Sequence, residues 1–341
     1  MWIVSSPVTS LSLPAERIEL LTIAILWKAD ASTGAVALFR QTMNTQIADK
    51  CFARSVCAVT VTYHPSARML ENLPRVLAQV EELVVIDNGS SVEELGPLRE
   101  KNQSLGFKLI ENGENLGIAE ALNEGVRWAH SQGYSWVILF DQDSGITDGF
   151  MSHMFATWES HPDRERVGSI HPRYVDPHTG IEAAVPRASD GSPVLPMTSG
   201  SLMPAWIFDK IGSFASEYFI DAVDWEYCFR IRAAGYLIAD SKQAKLLHSP
   251  GSPERSTVLG RTFHLSHHSA IRRYYISRNS IVLSRKYLFS FPGWILNVLY
   301  RHLHETIVCL LAEENRARKL RNFLLGTWDG LSGRMGKREG L

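Results

Sequence analysis

Apolar residues recur along this chain with two alternating periods, and the switches between them outline a series of strands and helices. Ser55 to Pro65, SVCAVTVTYHP, is rich in β-branched residues and closed by a proline, as a strand is. The next segment sets Met69, Leu70, Leu73, Val76, Leu77 and Val80 at helical spacing. Leu83 to Ile86 reads as a buried strand running into turn residues, Phe107 to Ile110 as a third strand, and SWVILF as a fourth. Ahead of that fourth strand, Ile118, Ala121, Leu122, Val126 and Ala129 make another helical stripe. Strands alternating with helices predict βαβ units, a mainly parallel sheet and right-handed crossovers.

After Asp143 the alternation fades. Pro162 to Pro204 is rich in proline and glycine and predicts irregular strands and loops, and a helix-rich tail follows from about Ser269. Residues 1–50 show no clear period and no identifiable chemistry. The pattern therefore divides the chain into an N-terminal extension of unknown role (1–54), a central α/β domain (55–268) and a helical C-terminal region (269–341). The longest apolar stretches, Ile18 to Trp27 and Phe289 to Tyr300, fall short of the about 20 residues a spanning helix needs, and Glu19 and Pro292 interrupt them. The N-terminus has neither the basic start nor the small-residue cleavage site of a secretory signal, so no export is expected.

Composition narrows the class. The 341 residues are 45% hydrophobic and 21% charged with a formal net charge of -1, which suits a globular protein and excludes a generally basic nucleic-acid binder. Cys51, Cys57, Cys228 and Cys309 are scattered with no CxxC pair, arguing against a zinc site or a disulfide framework and for a reducing cytoplasm.

Each predicted strand is followed by polar punctuation: Tyr63-His64, Asp87 to Ser90, Asn112 to Gly117, and Asp141 to Ser144. In parallel sheets ligands bind beyond the carboxyl ends of the strands, so these clusters would line one crevice. The last one, in WVILFDQDSG, delivers two carboxylates one residue apart. Like charges that near each other cost free energy unless a cation lies between them, and a hard divalent cation with substrate phosphates in its shell is suited to that place. An isolated DxD is more often a helix cap or a loop acid pair, so context decides. An EF-hand is excluded, because Ile146 and Ser152 stand where Gly and Glu are required. GxGxxG and GxxxxGK[ST] are both absent, which removes the dinucleotide and P-loop readings.

Two further segments carry candidate chemistry. FIDAVDWEYCFR (219–230) starts a helix at Val223, with Asp221, Asp224 and Glu226 suited to the positive end of its dipole and Arg230 to a later turn. A carboxylate there, poised at a pocket, can instead take a proton from an attacking hydroxyl. In LLHSPG, His248 closes an apolar run. It is either a satisfied structural histidine or a third metal ligand.

Taken in order, VTYHP, VIDNGSS, ENLGIAEALNEG, LFDQDS, TSGSLM, FIDAVDWEYCFR, LLHSPG, RYYISRNSIVL and a WDGLSGRMGK tail resemble the family 2 inverting glycosyltransferases, in particular bacterial rhamnosyltransferases of cell-surface polysaccharide. The resemblance covers about Val56 to Tyr287. It implies an A-type glycosyltransferase fold, a Rossmann-like mixed sheet flanked by helices, a nucleotide-sugar donor and a divalent cation, Mg²⁺ or Mn²⁺. Carried onto this sequence, Thr62 and Tyr63 would border the nucleotide, Asp87 would bond the base, and Asn115, Gly117 and Asn123 would shape the donor site. Asp141 would lie near ribose and metal, with Asp143 and His248 as metal ligands. Asp224 would be the catalytic base, although Val223-Asp224 replaces the Glu-Asp of many relatives and leaves Glu226 as an alternative. The donor implied is dTDP-L-rhamnose and the acceptor a lipid-linked cell-surface glycan. The alternatives are another nucleotide sugar, a sugar nucleotidylyltransferase lacking its N-terminal Gly-rich loop, or a non-catalytic nucleotide-sugar binder in a glycan assembly complex.

Between Glu254 and Glu305 there is no acid, but eight cations occur: Arg255, Arg261, Arg272, Arg273, Arg278, Arg285, Lys286 and Arg301, interleaved with aromatics. Such a belt suits an anionic surface, lipid headgroups or a lipid-linked pyrophosphate, at the inner face of the membrane. It equally suits a solvated basic helix packed on its aromatic side.

Overall fold

The β-branched run predicted at 55–65 forms strand β1, Val56–Thr62, with all seven residues buried. In the computed structural model, residues 55–188, 191–248, 254–258, 261–265 and 268–340 are described. The expectations for 1–54, including the Ile18 to Trp27 stretch, lie outside them. β1 leads to helix α1 (Ala67–Leu77), β2 (Glu82–Asp87), α2 (Val92–Leu105), β3 (Lys108–Glu111), α3 (Ile118–Ser131) and β4 (Trp136–Asp141). The chain continues through β5 (Gly145–Ile146), α4 (Phe150–Ser160), β6 (Val167–Val175), β7 (Leu202–Pro204), α5 (Trp206–Ile211), α6 (Val223–Ala233) and β8 (Leu237–Leu247). A two-stranded ribbon, β9 (Glu254–Val258) with β10 (Arg261–Leu265), precedes α7 (Ala270–Tyr287), α8 (Pro292–Ala312) and α9 (Arg316–Ser332).

The main sheet has eight strands in the order β3-β2-β1-β4-β7-β6-β8-β5. β1 to β4 are mutually parallel where they pair, and β7 and β5 run against their neighbours. The predicted α/β architecture, a mainly parallel sheet flanked by helices with a helical C-terminal region, is what forms. The proline-rich middle is more regular than its composition suggests: β6 is nine residues long and pairs with β8 across two register shifts.

Side chains alternate across each strand, and that period divides the core in two. Cys57, Val59 and Val61 join α3, α6 and α7 on one face, while Val56 and Ala58 join α1, α2 and α4 on the other. α7 and the start of α8 thus belong to the core of the α/β body. α9 crosses α7 closely at Gly326, where any Cβ would lie 2.3 Å from the Tyr274 carbonyl oxygen.

That packing corrects the expectation of a free basic belt. Arg278 is fully buried and donates to the carbonyls of Glu217, Tyr218 and Gly336. Arg273 is buried beside Glu305 and Glu313, Arg272 forks onto Asp221, Lys286 reaches Glu226, and Arg285 donates to the carbonyls of Gly330 and Leu331. Five of the eight cations therefore hold the protein together. The side chains of Arg255 and Arg261 lie outside the described set, and Arg301 is exposed.

Candidate active site

The strand order 3-2-1-4 reverses at β1, which makes the carboxyl ends of β1 and its neighbours the switch point at which such sheets bind ligands. Thr62 sits opposite Asp87 on β2, and Val61 opposite Asp141 on β4, which brings three of the candidate residues to one edge of the sheet. Gln142 bridges the ends of β4 and β1. Its Oε1 accepts from the Thr62 hydroxyl at 2.7 Å and from the Tyr63 amide at 3.0 Å. Thr62 is buried by that arrangement, whereas the Tyr63 ring stays exposed.

Beyond Asp141 the chain turns, with Ser144 N donating to the Asp141 carbonyl, and enters β5. β5 pairs antiparallel with β8, Gly145 against Leu247, so the residue that follows β8 arrives beside the acid turn. That residue is His248. Its Nδ1 lies 3.4 Å from Asp143 Oδ1, and one ligand atom each from Asp141, Asp143 and His248 fall within 4.8 Å of one another. Ser199 fixes the turn from behind: its buried hydroxyl accepts from the Asp141 amide at 3.0 Å and lies 2.8 Å from the Ser144 hydroxyl.

The electrostatics of the triad are those of an incomplete site. Burial, then the charge of Asp143, pushes the Asp141 carboxyl up to about 6. Asp143 is itself opposed by burial, but its bond with His248 outweighs that and holds it below the usual range, while raising His248. Two carboxylate oxygens and an imidazole nitrogen at this spacing fit a divalent cation, whose charge would relieve the repulsion within the pair.

The turn after β2 binds itself. Asp87 is buried, and its carboxylate accepts from Gly89 N at 3.1 Å, Ser90 N at 2.9 Å and the Ser90 hydroxyl at 2.5 Å. Asn88 ties this turn to the loop before α3, accepting from Leu116 N and donating to Asn115, whose Oδ1 also takes Gly117 N. At Gly117, φ is 87° and a Cβ would lie 2.6 Å from the Phe219 carbonyl oxygen, so the loop can press onto the 219–222 turn only with glycine there. Ile118 N completes the contact, donating to Phe219 O at 2.7 Å. Asn123 is buried one turn into α3, and its amide is occupied by both backbone groups of Phe214 and by the Ser216 hydroxyl.

The helix predicted from Val223 starts there as α6. Its approach is strained: Phe219, Asp221 and Ala222 all have positive φ, which non-glycine residues rarely adopt. The strain is held from α7. Asn279 donates to the carbonyls of Tyr218, Ile220 and Asp221, and Arg278 to those of Glu217 and Tyr218. The C-terminal tail closes the same turn, Gly336 N donating to Glu217 O at 2.8 Å, and Lys337 goes on to the Asn115 carbonyl.

Asp224 sits at the head of α6, half-buried and so still reachable. Burial pushes its carboxyl up to about 7, with the charges of Asp221 and Asp141 adding to the rise and the Trp225 amide opposing it. Asp224 therefore shares an electrostatic neighbourhood with Asp141. Glu226 is different. It is fully buried, both oxygens are taken by Arg230, Lys286 and Tyr287, and those cations outweigh burial to hold its carboxyl below the ordinary value. Such a carboxylate is a structural anchor between α6 and α7.

Gln142, Ser199 and Asn279 were not anticipated, and Arg278 was expected only as part of a basic belt. All four act through contacts with residues far away in sequence; only their presence in the motifs LFDQDS, TSGSLM and RYYISRNSIVL signalled them.

Residues 57–187 match the family model described as glycosyl transferase family 2. The chain is 27% identical over 298 residues to the dTDP-rhamnosyl transferase RfbF of Shigella flexneri, covering 82% of this chain and 96% of that protein. It is 26% identical over 263 residues to the galactofuranosyltransferase GlfT1 of Mycobacterium tuberculosis, covering 70% and 83%. Among solved structures, the mannosyltransferase PcManGT of Pyrobaculum calidifontis, in complex with GDP-Man and Mn²⁺, superposes with a TM-score of 0.52 at 13% identity, over 88% of this chain and 97% of that one. At that identity the likeness speaks for the fold, which is the A-type glycosyltransferase fold.

Proposed function

This chain carries a glycosyl transferase family 2 domain and is a glycosyltransferase, and on that premise we propose that it transfers L-rhamnose from dTDP-L-rhamnose, with inversion, to a lipid-linked cell-surface glycan. The observation that carries the reading is the gathering of Asp141, Asp143 and His248 at the switch point of the sheet, with Asp224 within reach of their charge. The donor assignment rests on the match with RfbF along most of both chains.

In this reading Asp143 and His248, with Asp141 beside them, would hold a divalent cation, Mg²⁺ or Mn²⁺, whose charge would offset that of the donor's diphosphate. Thr62, Tyr63 and Asp87 border the nucleotide, the exposed Tyr63 ring offering a face to the base. Asn115 and Gly117 shape the donor loop, and Asn123 sets the segment behind it. Asp224 accepts the proton of the acceptor hydroxyl as that oxygen attacks the anomeric carbon opposite the departing diphosphate. The leaving group needs no protonation, so one base is enough, unlike the carboxyl pair of a glycoside hydrolase. We place the reaction in the cytoplasm, against the inner face of the membrane.

The test is to incubate the purified protein with a panel of nucleotide sugars and Mg²⁺ or Mn²⁺, and to follow nucleoside diphosphate release and the anomeric configuration of the product. Consumption of dTDP-L-rhamnose with inversion is expected. Consumption of a different donor overturns the rhamnose assignment but leaves a transferase; donor binding without turnover, indifferent to Asp224→Asn, points to a non-catalytic binder.

A further inference from the structure

α8 is apolar on both its inner and its outer side, and α9 turns Lys319, Asn322 and Asp329 inward and its large apolar residues out. On α8, Ile295, Val298, Val308 and Cys309 point into the protein, yet Leu296, Tyr300, Leu303 and Ile307, at spacings of four, three and four residues, make a second apolar stripe exposed to solvent. Phe289, just before the helix, is 96% exposed. α9 repeats the pattern with Leu320, Leu324, Trp328 and Leu331, of which Trp328 is 68% exposed. The two helices are neighbours, touching where His302 stacks on Phe323 at 5.1 Å between ring centroids. Large side chains exposed in a row on adjacent helices mark a surface built to be covered.

The charges beside the stripes say by what. Arg301 lies alongside the apolar row of α8, and Arg316, Arg318 and Arg321 surround that of α9; every exposed charged residue of α9 is an arginine, since Lys319 and Asp329 are buried. A face of leucines and a tryptophan edged by arginines, on helices none of which among the described residues is long and apolar enough to span a bilayer, has the composition of helices that lie in the headgroup layer of an anionic membrane. A second copy of the chain fits less well. A two-fold interface sets each patch against itself, which would bring the arginines of α9 together with only Glu305 and the exposed Glu314 nearby to offset them.

We infer that α8 and α9 dock this protein onto the surface of an anionic lipid bilayer, through Leu296, Tyr300, Leu303, Leu324, Trp328 and their flanking arginines. Of the eight cations that the sequence suggested for such a role, Arg301 alone is among these residues. The inference supplies a surface for the membrane placement proposed above and rests on this face, not on the chemistry of glycosyl transfer.

The experiment is co-sedimentation of the full chain, without donor or metal, with vesicles of phosphatidylcholine alone or mixed with phosphatidylglycerol. The chain is expected to pellet with the mixed vesicles at low salt, to be released as salt rises, and to stay in solution with phosphatidylcholine. Leu324→Glu combined with Trp328→Glu should lower the bound fraction by more than about tenfold, and Arg318→Gln and Arg321→Gln by about fivefold each, with unchanged Tm because all four side chains are exposed. A chain that remains in solution with anionic vesicles, or variants that pellet like the parent, overturns the inference. So does a dimer that the glutamate pair converts to a monomer while vesicle recovery stays the same, because the face would then join two copies.

Discussion

At the sheet edge the carboxyls of Asp141 and Asp224 are pushed up to about 6 and about 7, whereas beneath the C-terminal helices Glu226 is held below its ordinary value and Glu313 at about 2. Burial works against ionisation in all four. The difference lies in their partners. Glu226 has Arg230 at 2.7 Å and Lys286 at 2.8 Å, and Glu313 has Lys319 at 2.6 Å, while Asp141 and Asp224 face other acids. The fold neutralises the charges it uses as anchors and leaves uncompensated those that await something from outside. The same rule sorts the cations: those of α7 are engaged within the protein, and Arg301 of α8 and Arg318 and Arg321 of α9 are exposed.

If that contrast is right, removing an acid of the first kind harms activity and not the fold, and removing one of the second kind harms the fold. Asp224→Asn should lower kcat by about 10²- to 10⁴-fold while donor binding persists. It should also stabilise. A folded-state value of about 7, above the ordinary 3.8, means the native protein holds a proton that the unfolded chain has released, so stability falls as pH rises between those values. The variant is therefore expected to melt higher than the parent above pH 7 and alike near pH 4, a pattern that differential scanning calorimetry would resolve.

Glu226→Ala leaves two cations facing a hole and should cost about 3–5 kcal/mol, read as a lower Tm at every neutral pH. Asn279→Ala frees three carbonyls of the strained turn; a loss of about 1–3 kcal/mol is expected, with kcat falling further than donor affinity because the turn carries Asp224. Smaller still is the effect of pH on turnover. The rate should climb through the range near 7 as Asp224 loses its proton, and a bound cation that offsets Asp141 should move that rise to lower pH. Smallest of all, Arg99→Ala breaks an exposed pair with Glu111 and should leave both Tm and rate unchanged.

The portion legible in the sequence was the portion built from local periods. β1 to β4, α1 and α3 announce themselves by alternation and by helical stripes, and the acids stand at strand ends because parallel strands end there. The arrival of His248 beside Asp143 depends on β5 pairing with β8 across a hundred residues, which no local pattern reveals; only the motif order suggested it. The basic belt was misjudged for the same reason. Arg278 looks solvent-facing until the carbonyls of Glu217 and Tyr218 are seen to be its partners, and nothing near it in the chain says so. Nor does the sequence around Asn123 disclose that its amide is taken by Phe214.

The central claim is tested most directly by isothermal titration calorimetry with a nucleoside diphosphate such as dTDP, in the presence and absence of Mg²⁺ or Mn²⁺, on the parent, Asp143→Ala and Asp224→Asn. The account predicts metal-dependent binding to the parent and to Asp224→Asn, and none to Asp143→Ala. Binding that ignores the metal, or that survives Asp143→Ala undiminished, would contradict it.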